Sequence, residues 1–258
     1  MQKVYTVIRK EWAEVFKNRF VFFTVAFMPL LFTALPLIIL STGQGFGNIG
    51  EVPDELRAFC ETAGEEACLQ SFIISQFLLF YLIMPIIIPI TIASYSIVGE
   101  KTTRTLEPVL ATPITTIELL AGKALAATIP ALIATWGSYF IFYIGVNVLL
   151  PGLNASAILT QTLWLISIFV LAPLLSIAGV SIAVMVSSRA NDPRVAEQLS
   201  ALVILPLMLV FFGQVAGYLT ITQTTILWIA AALAIIDMGL LYFASRIFQR
   251  ETILTRWK

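Results

Sequence analysis

From Ser71 to Ile97 the chain reads SFIISQFLLFYLIMPIIIPITIASYSI, a run without a single charge. A helix that crosses the hydrocarbon core of a bilayer, roughly 30 Å thick, needs about 20 apolar residues. This run is long enough, and five more follow the same rule, near 20–42, 124–150, 162–186, 199–218 and 224–245. The whole chain of 258 residues agrees: it is 59% hydrophobic and 12% charged, with a mean hydropathy of +0.94. Soluble domains run about 45–50% apolar and about 25% charged, so a soluble globular enzyme is excluded. A disordered or nucleic-acid-binding chain needs excess charge and is excluded too. The expectation is an all-α integral membrane protein with six transmembrane helices, forming one domain over residues 1–258. The uncharged gap from Gly213 to Thr225 is open to two readings, an outside loop or short re-entrant helices buried in protein.

The basic residues orient this plan. Lys3, Arg9, Lys10, Lys17 and Arg19 precede the first span. Lys101, Arg104 and Lys123 lie between spans two and three, and Arg189 and Arg194 between four and five. Arg246, Arg250, Arg256 and Lys258 close the chain, so that of 15 basic residues only Arg57 falls on the opposite side. The positive-inside rule then puts both termini in the cytoplasm of a multi-pass protein of the cell (plasma or inner) membrane. The first apolar run is too long for a cleavable signal and reads as a retained span.

Three aqueous segments carry information. In residues 1–19, Val4, Val7, Ile8, Val15 and Phe16 recur at helical spacing among basic residues, as in an interfacial helix lying near anionic lipid; a simple basic tail is the alternative. The external loop 43–70 is acidic and holds the only two cysteines, Cys60 and Cys68. A disulfide between them is possible only with a turn, such as at Ala63-Gly64, because eight residues of straight helix rise about 12 Å. The segment 98–123 is the most telling. A polar front of Glu100, Lys101, Arg104 and Glu107 precedes Leu106, Val109 and Leu110, which share a helical face. Pro113 stops that helix, and Thr115 or Thr116 caps the next, with Glu118 in its first turn. Such a short amphipathic helix docks on another protein, or rests on its own bundle or on lipid.

The stretch from Glu100 to Pro113 (EKTTRTLEPVLATP) resembles the cytoplasmic segment of type-2 ATP-binding cassette (ABC) exporter permeases. That segment commonly reads Glu-basic-…-Thr-Leu-Glu-x-hydrophobic-Leu-x-Thr-Pro. Where the family often has Gly before Thr-Leu-Glu, this chain has Arg104. Lys10-Glu11-Trp12 before the first span is similar to the family's opening, and the second cytoplasmic loop, Ser187 to Gln198, precedes a Pro-containing fifth span at Pro206. The resemblance implies a transmembrane permease domain that works as a dimer with an identical or homologous second subunit. It also implies two copies of a separate cytoplasmic ABC ATPase, which carry ATP and magnesium. The helix within 98–123 would be the coupling helix, with docking contacts at Glu100, Arg104, Leu106, Glu107 and Leu110. Lys10 and Glu11 would lie where the interfacial helix meets it.

The chain itself offers no covalent chemistry. There is no Gly-x-x-x-x-Gly-Lys-Ser/Thr phosphate cradle. There is no histidine, which removes Ser-His triads and His metal sites. No catalytic residue, resident cofactor, metal or nucleic-acid partner is expected; membrane lipid is. Asp237 is the one formal charge inside a span. It should face the bundle interior, lining a path, bonding across the dimer, or accepting hydrogen bonds from a neighbouring Ser or Thr. Pro29, Pro36, Pro85, Pro89, Pro130, Pro173 and Pro206 can kink their spans. Gly137, Gly145 and Gly179, and the pair Gly213 and Gly217, can admit close helix approach. The reading is the membrane subunit of an ATP-driven exporter whose cargo is a lipid, drug or other amphipathic molecule, with an ion still open. The alternatives are a secondary transporter or channel working without an ATPase, and an intramembrane enzyme.

Overall fold

The computed structural model describes residues 2–42, 65–103, 114–150, 158–216, 218–219 and 221–247. These residues hold helices and turns and no strand. In chain order the helices are α1 (Gln2–Val15), α2 (Arg19–Thr42), α3 (Glu65–Tyr81), α4 (Met84–Thr102) and α5 (Thr116–Leu149). Next come α6 (Thr162–Ile166), a π-helical turn (Ser167–Leu171) and α7 (Ala172–Arg189). Then follow α8 (Pro193–Ala201), a 3-10 turn (Leu202–Ile204), α9 (Leu205–Val215) and α10 (Gln223–Ile247).

Six stretches are long and apolar enough to cross a membrane: Arg19–Thr42, Ile73–Thr102, Thr116–Leu149, Thr162–Arg189, Pro193–Gln214 and Gln223–Arg246. The protein is an all-α membrane protein, and the six expected spans are all present. Two boundaries bear on the site and on the open reading of the gap before span six. Span three starts at Thr116 rather than near 124, because Thr115 caps it: its hydroxyl accepts from the Glu118 amide at 3.2 Å, and Glu118 Oε2 accepts from the Thr115 amide at 2.8 Å. This reciprocal pair satisfies two donors that a helix start otherwise leaves open. The segment 98–123 is therefore helical at both ends. At the other boundary, α9 ends at Val215 and α10 begins at Gln223, so the described residues of that gap hold no re-entrant helix.

Span two is the axis of the bundle: 83% of it is buried inside the protein, against 11% for span five and 17% for span six. It packs on α7, α5 and α8. Gly179 of α7 sits against α4 so closely that a Cβ there would lie 3.1 Å from the Ile86 carbonyl oxygen. A Cβ at Gly145 would overlap Leu37, whereas Gly137 faces open space. A Cβ at Gly213 would overlap Leu219; Gly217 lies outside the described residues.

The prolines divide into two groups. Pro29, Pro36, Pro89 and Pro130 lie inside continuous helices. Pro85, Pro173 and Pro206 each open a new helix just after a break: a turn at Leu82–Ile83, the π turn and the 3-10 turn. Proline lacks an N–H and its ring crowds the carbonyl four residues back, so the preceding turn loosens. A carbonyl in the π turn gains a partner from outside its helix, since Trp136 Nε1 donates to Ile168 O at 3.0 Å.

Candidate coupling site

The amphipathic helix α1 is not spread on lipid alone. Its buried stripe is Val7, Glu11 and Val15, spaced by one turn each, and a carboxylate occupies the middle. Tyr5 remains outward. The stripe docks on α5 and α4. The approach is tight because Gly122 carries no side chain: a Cβ there would stand 2.7 Å from Val7 Cγ1. Trp12 Nε1 fixes the other edge by donating to Ala126 O at 2.8 Å.

This docking brings four charges together. Lys123 Nζ donates to Glu11 Oε1 at 2.7 Å and to Ser96 Oγ at 2.8 Å, and it forms an ion pair with Glu100 Oε2 at 2.7 Å. Ser96 in turn donates its hydroxyl proton to Glu11 Oε2. Lys10 pairs with Glu100 Oε1 and lies 3.0 Å from Glu14 Oε2 and 3.6 Å from Glu11 Oε1. Glu11, Glu100 and Lys123 are 2%, 5% and 4% exposed, so three of the four charges are shut away from water. Such burial is tolerable because two lysines balance two glutamates at ion-pair distance. Burial by itself raises the Glu11 carboxyl, but the charge and hydrogen bond of Lys123, with Ser96 and Lys10, hold it below its usual range. For Lys10 burial pulls down, while Glu100, Glu11 and Glu14 together push the ammonium above its usual value.

The chain neighbour of Glu100 faces the other way. Lys101 Nζ donates to Ser188 O at 3.3 Å and Ala190 O at 3.0 Å, placing a cation on the carbonyl end of α7. Further along α4, Thr91 Oγ1 lies 2.6 Å from Glu197 Oε1 of α8. Asp192 caps α8 through Oδ1, which accepts from the Arg194 and Val195 amides. The final turns of α4 are thus tied on one flank to α1 and α5 and on the other to α7 and α8. Beside the cluster runs a cleft of about 320 Å³, lined by Glu14, Asn18, Tyr95, Gly99 and Thr103 among others.

The expected site residues fall into three groups. Lys10, Glu11 and Glu100 are brought together, with Glu100 paired to Lys10 and Lys123. Arg104, Leu106, Glu107 and Leu110 lie outside the described residues, as do Cys60 and the side chain of Cys68. Asp237 stands apart on α10, 4% exposed, enclosed within the single chain, and no Ser or Thr donates to it. Lys123 and Ser96 are the residues that sequence reasoning missed. The signal for Lys123 was a lone charge in the apolar run from Leu119 to Ala127, two turns past a cap. No described group of three or more His, Cys, Asp or Glu is placed to hold a metal ion.

The buried cluster sits at both roots of the segment 104–113, one through α4 and one through α5. The model of the family described as ABC-2 family transporter protein matches residues 5–242. The chain belongs to the ABC-2 transporter family. It is the membrane subunit of an ABC-type transporter, a multi-pass protein of a family that associates with ABC ATPases and is generally the non-catalytic component. No curated protein matches the chain. In this ABC-2 subunit the charge cluster joins the N-terminal helix to the two spans that flank the 104–113 segment.

Proposed function

We propose that the chain forms, as a dimer, the translocation path of an ATP-driven exporter, with both termini and the segment 98–123 in the cytoplasm. The helix expected at about 102–110 seats on a separate ATPase through Arg104, Leu106, Glu107 and Leu110. Glu100, Lys10, Glu11 and Lys123 act behind it, binding α1, α4 and α5 into one block. ATP and magnesium belong to the partner. When the ATPase closes on ATP, the segment moves and the block moves with it, changing which side the path faces. The path contributes differential affinity between the two states and no bond chemistry. The cargo is an amphipathic molecule.

The observation that carries this reading is the solvent-excluded cluster at the roots of the docking segment. A buried ion cluster contributes little net stability, and the role that fits this one is to fix the relative placement of α1, α4 and α5. The test is co-purification of the full chain with its candidate ATPase, before and after Leu106→Asp, Glu107→Lys and Leu110→Asp are combined. The altered chain is expected to insert normally and lose the ATPase. Retained binding with retained ATP-driven transport overturns the docking assignment, and transport by the chain alone on an ion gradient overturns the exporter reading.

A further inference from the structure

Where α7 ends and α8 begins, the two helices pack together and leave a groove of about 540 Å³. It is lined by Met185, Val186 and Arg189 of α7, by Ala190 of the connecting turn, and by Val195 and Leu199 of α8. Arg189 follows Val186 and Met185 by three and four residues, so the three share one helix face. Val195 and Leu199, four residues apart, share a face of α8 in the same way. The result is an apolar trough with a guanidinium in its lining. Val195 and Leu199 are 48% and 52% exposed, so the described residues leave the trough uncovered. Span four ends at Arg189 and span five starts at Pro193, so the trough lies at the membrane edge and runs back along both spans.

The charges at this corner are unbalanced. Arg189 is exposed, and none of the ion pairs among the described residues includes it. Lys101 Nζ donates to the carbonyls of Ser188 and Ala190, the residues on either side of Arg189, which brings a second cation to the same turn. Arg194 adds a third, beside Tyr95. The two carboxylates here are engaged already. Asp192 Oδ1 accepts from the Arg194 and Val195 amides, and Glu197 Oε1 accepts from the Thr91 hydroxyl at 2.6 Å. The corner therefore keeps a net positive charge above an apolar trough.

The occupant that complements this corner carries an anion at the membrane edge and a hydrocarbon body below it. A guanidinium offers phosphate oxygens a planar fork of donors and is held less tightly by water than an ammonium. We propose that the trough binds an anionic phospholipid: its phosphodiester pairs with Arg189, and one acyl chain lies along Met185, Val186, Val195 and Leu199. This adds a ligand that the exporter reading does not include, and it holds whether or not the chain couples to an ATPase.

The test is titration of dioleoylphosphatidylglycerol into the full chain in dodecyl maltoside, with bound lipid counted by native mass spectrometry. Dioleoylphosphatidylcholine, with the same chains and no net charge, is the counterpart. The expected result is saturable binding of the anionic lipid, tighter than that of the zwitterionic one. Arg189→Gln should weaken the anionic lipid about five- to tenfold, the size of one charge-assisted contact, and bring it near the zwitterionic lipid. Leu199→Trp, which narrows the trough, should weaken both lipids. Arg246→Gln, which removes an exposed arginine from the end of α10, should change neither. Glycerol 3-phosphate, a headgroup without chains, should not displace the lipid. Equal affinity for the two lipids, or full affinity in Arg189→Gln, overturns the proposal. An Arg246→Gln loss as large as that of Arg189→Gln overturns it too and makes the effect one of general basic charge. Unchanged binding in Leu199→Trp, or displacement by glycerol 3-phosphate, overturns the trough. If Arg189→Gln does not fold, the comparison of the two lipids and Leu199→Trp decide the matter. Loss of ATPase co-purification in Leu199→Trp with unchanged lipid binding would make the trough a protein-docking surface and overturn the proposal.

Discussion

Replacing Lys123 with methionine keeps the length and apolar stem of the side chain and removes the charge. The structure sets the size of the effect. Lys123 makes three contacts of 2.7–2.8 Å to Glu11, Glu100 and Ser96 in a place 4% exposed. Glu100 keeps Lys10, but the nearest remaining cation to Glu11 is Lys10 at 3.6 Å. The four-charge set changes from neutral to a net negative charge that water cannot reach. Removing one partner of a buried pair costs about 3–5 kcal/mol. At about 2–4 °C per kcal/mol for a chain of this size, melting should fall by roughly 6–20 °C. Adding Glu11→Gln to Lys123→Met should recover more than half of that loss, because the penalty is the orphaned charge rather than the missing attraction. The exposed pair Lys3–Glu118, at 3.7 Å, is the control. Lys3→Met should cost no more than about 1 kcal/mol. The assay is thermal unfolding of the purified chain by intrinsic fluorescence. A melting point for Lys123→Met within about 2 °C of the unaltered protein, which is less than about 1 kcal/mol, would refute the reasoning.

Two other outcomes follow from the same region. Gly122→Ala places a Cβ 2.7–2.8 Å from Val7, a stiff side chain close to the α1 backbone, so α1 must shift; a cost of about 1–3 kcal/mol and faster amide exchange through α1 are expected, and unchanged exchange there counts against the tight docking. Glu11 titrates below 4.5 when folded, so its pairing stabilises the fold above that pH and is lost as pH falls through the lower folded value. Lys10 titrates above 10.5 when folded, so its contribution is full below that pH and is lost only as pH rises through the higher folded value. Stability from this cluster should be level between these limits, and Glu11→Gln should make the acid side of a melting-point profile shallower; an identical acid side in both proteins would contradict the assignment.

The spans were legible because length and apolarity leave few choices for runs such as Ser71–Ile97. The cap of span three was legible for a different reason: a hydroxyl followed three residues later by a glutamate is a local device that needs no tertiary partner. The cluster was not legible in the same way. Lys123 reads as one of the charges that mark the cytoplasmic side and Glu100 as a docking contact, because a charge in a linear sequence carries no sign of whether water, a partner or a counter-ion will satisfy it. Only the packing of α1, which puts Glu11 where an apolar residue would be expected, decides that question. The breaks in spans two, four and five were half visible. Pro85, Pro173 and Pro206 are indistinguishable in sequence from Pro29, Pro36, Pro89 and Pro130, whose helices run on unbroken; at the π turn before Pro173 a donor comes from another helix, Trp136 Nε1 to Ile168 O, which the linear sequence does not show.

The turn at Leu82–Ile83 makes span two a pair of rods rather than a beam. Its α4 half is clamped along two flanks by ion pairs and hydrogen bonds, while its α3 half meets the rest of the chain chiefly through apolar and ring contacts, Phe80 on Phe32 and Phe211 and Tyr81 on Phe142, with one hydrogen bond from Tyr81 to Thr33. The two halves of span two thus meet their surroundings by different forces on either side of that joint.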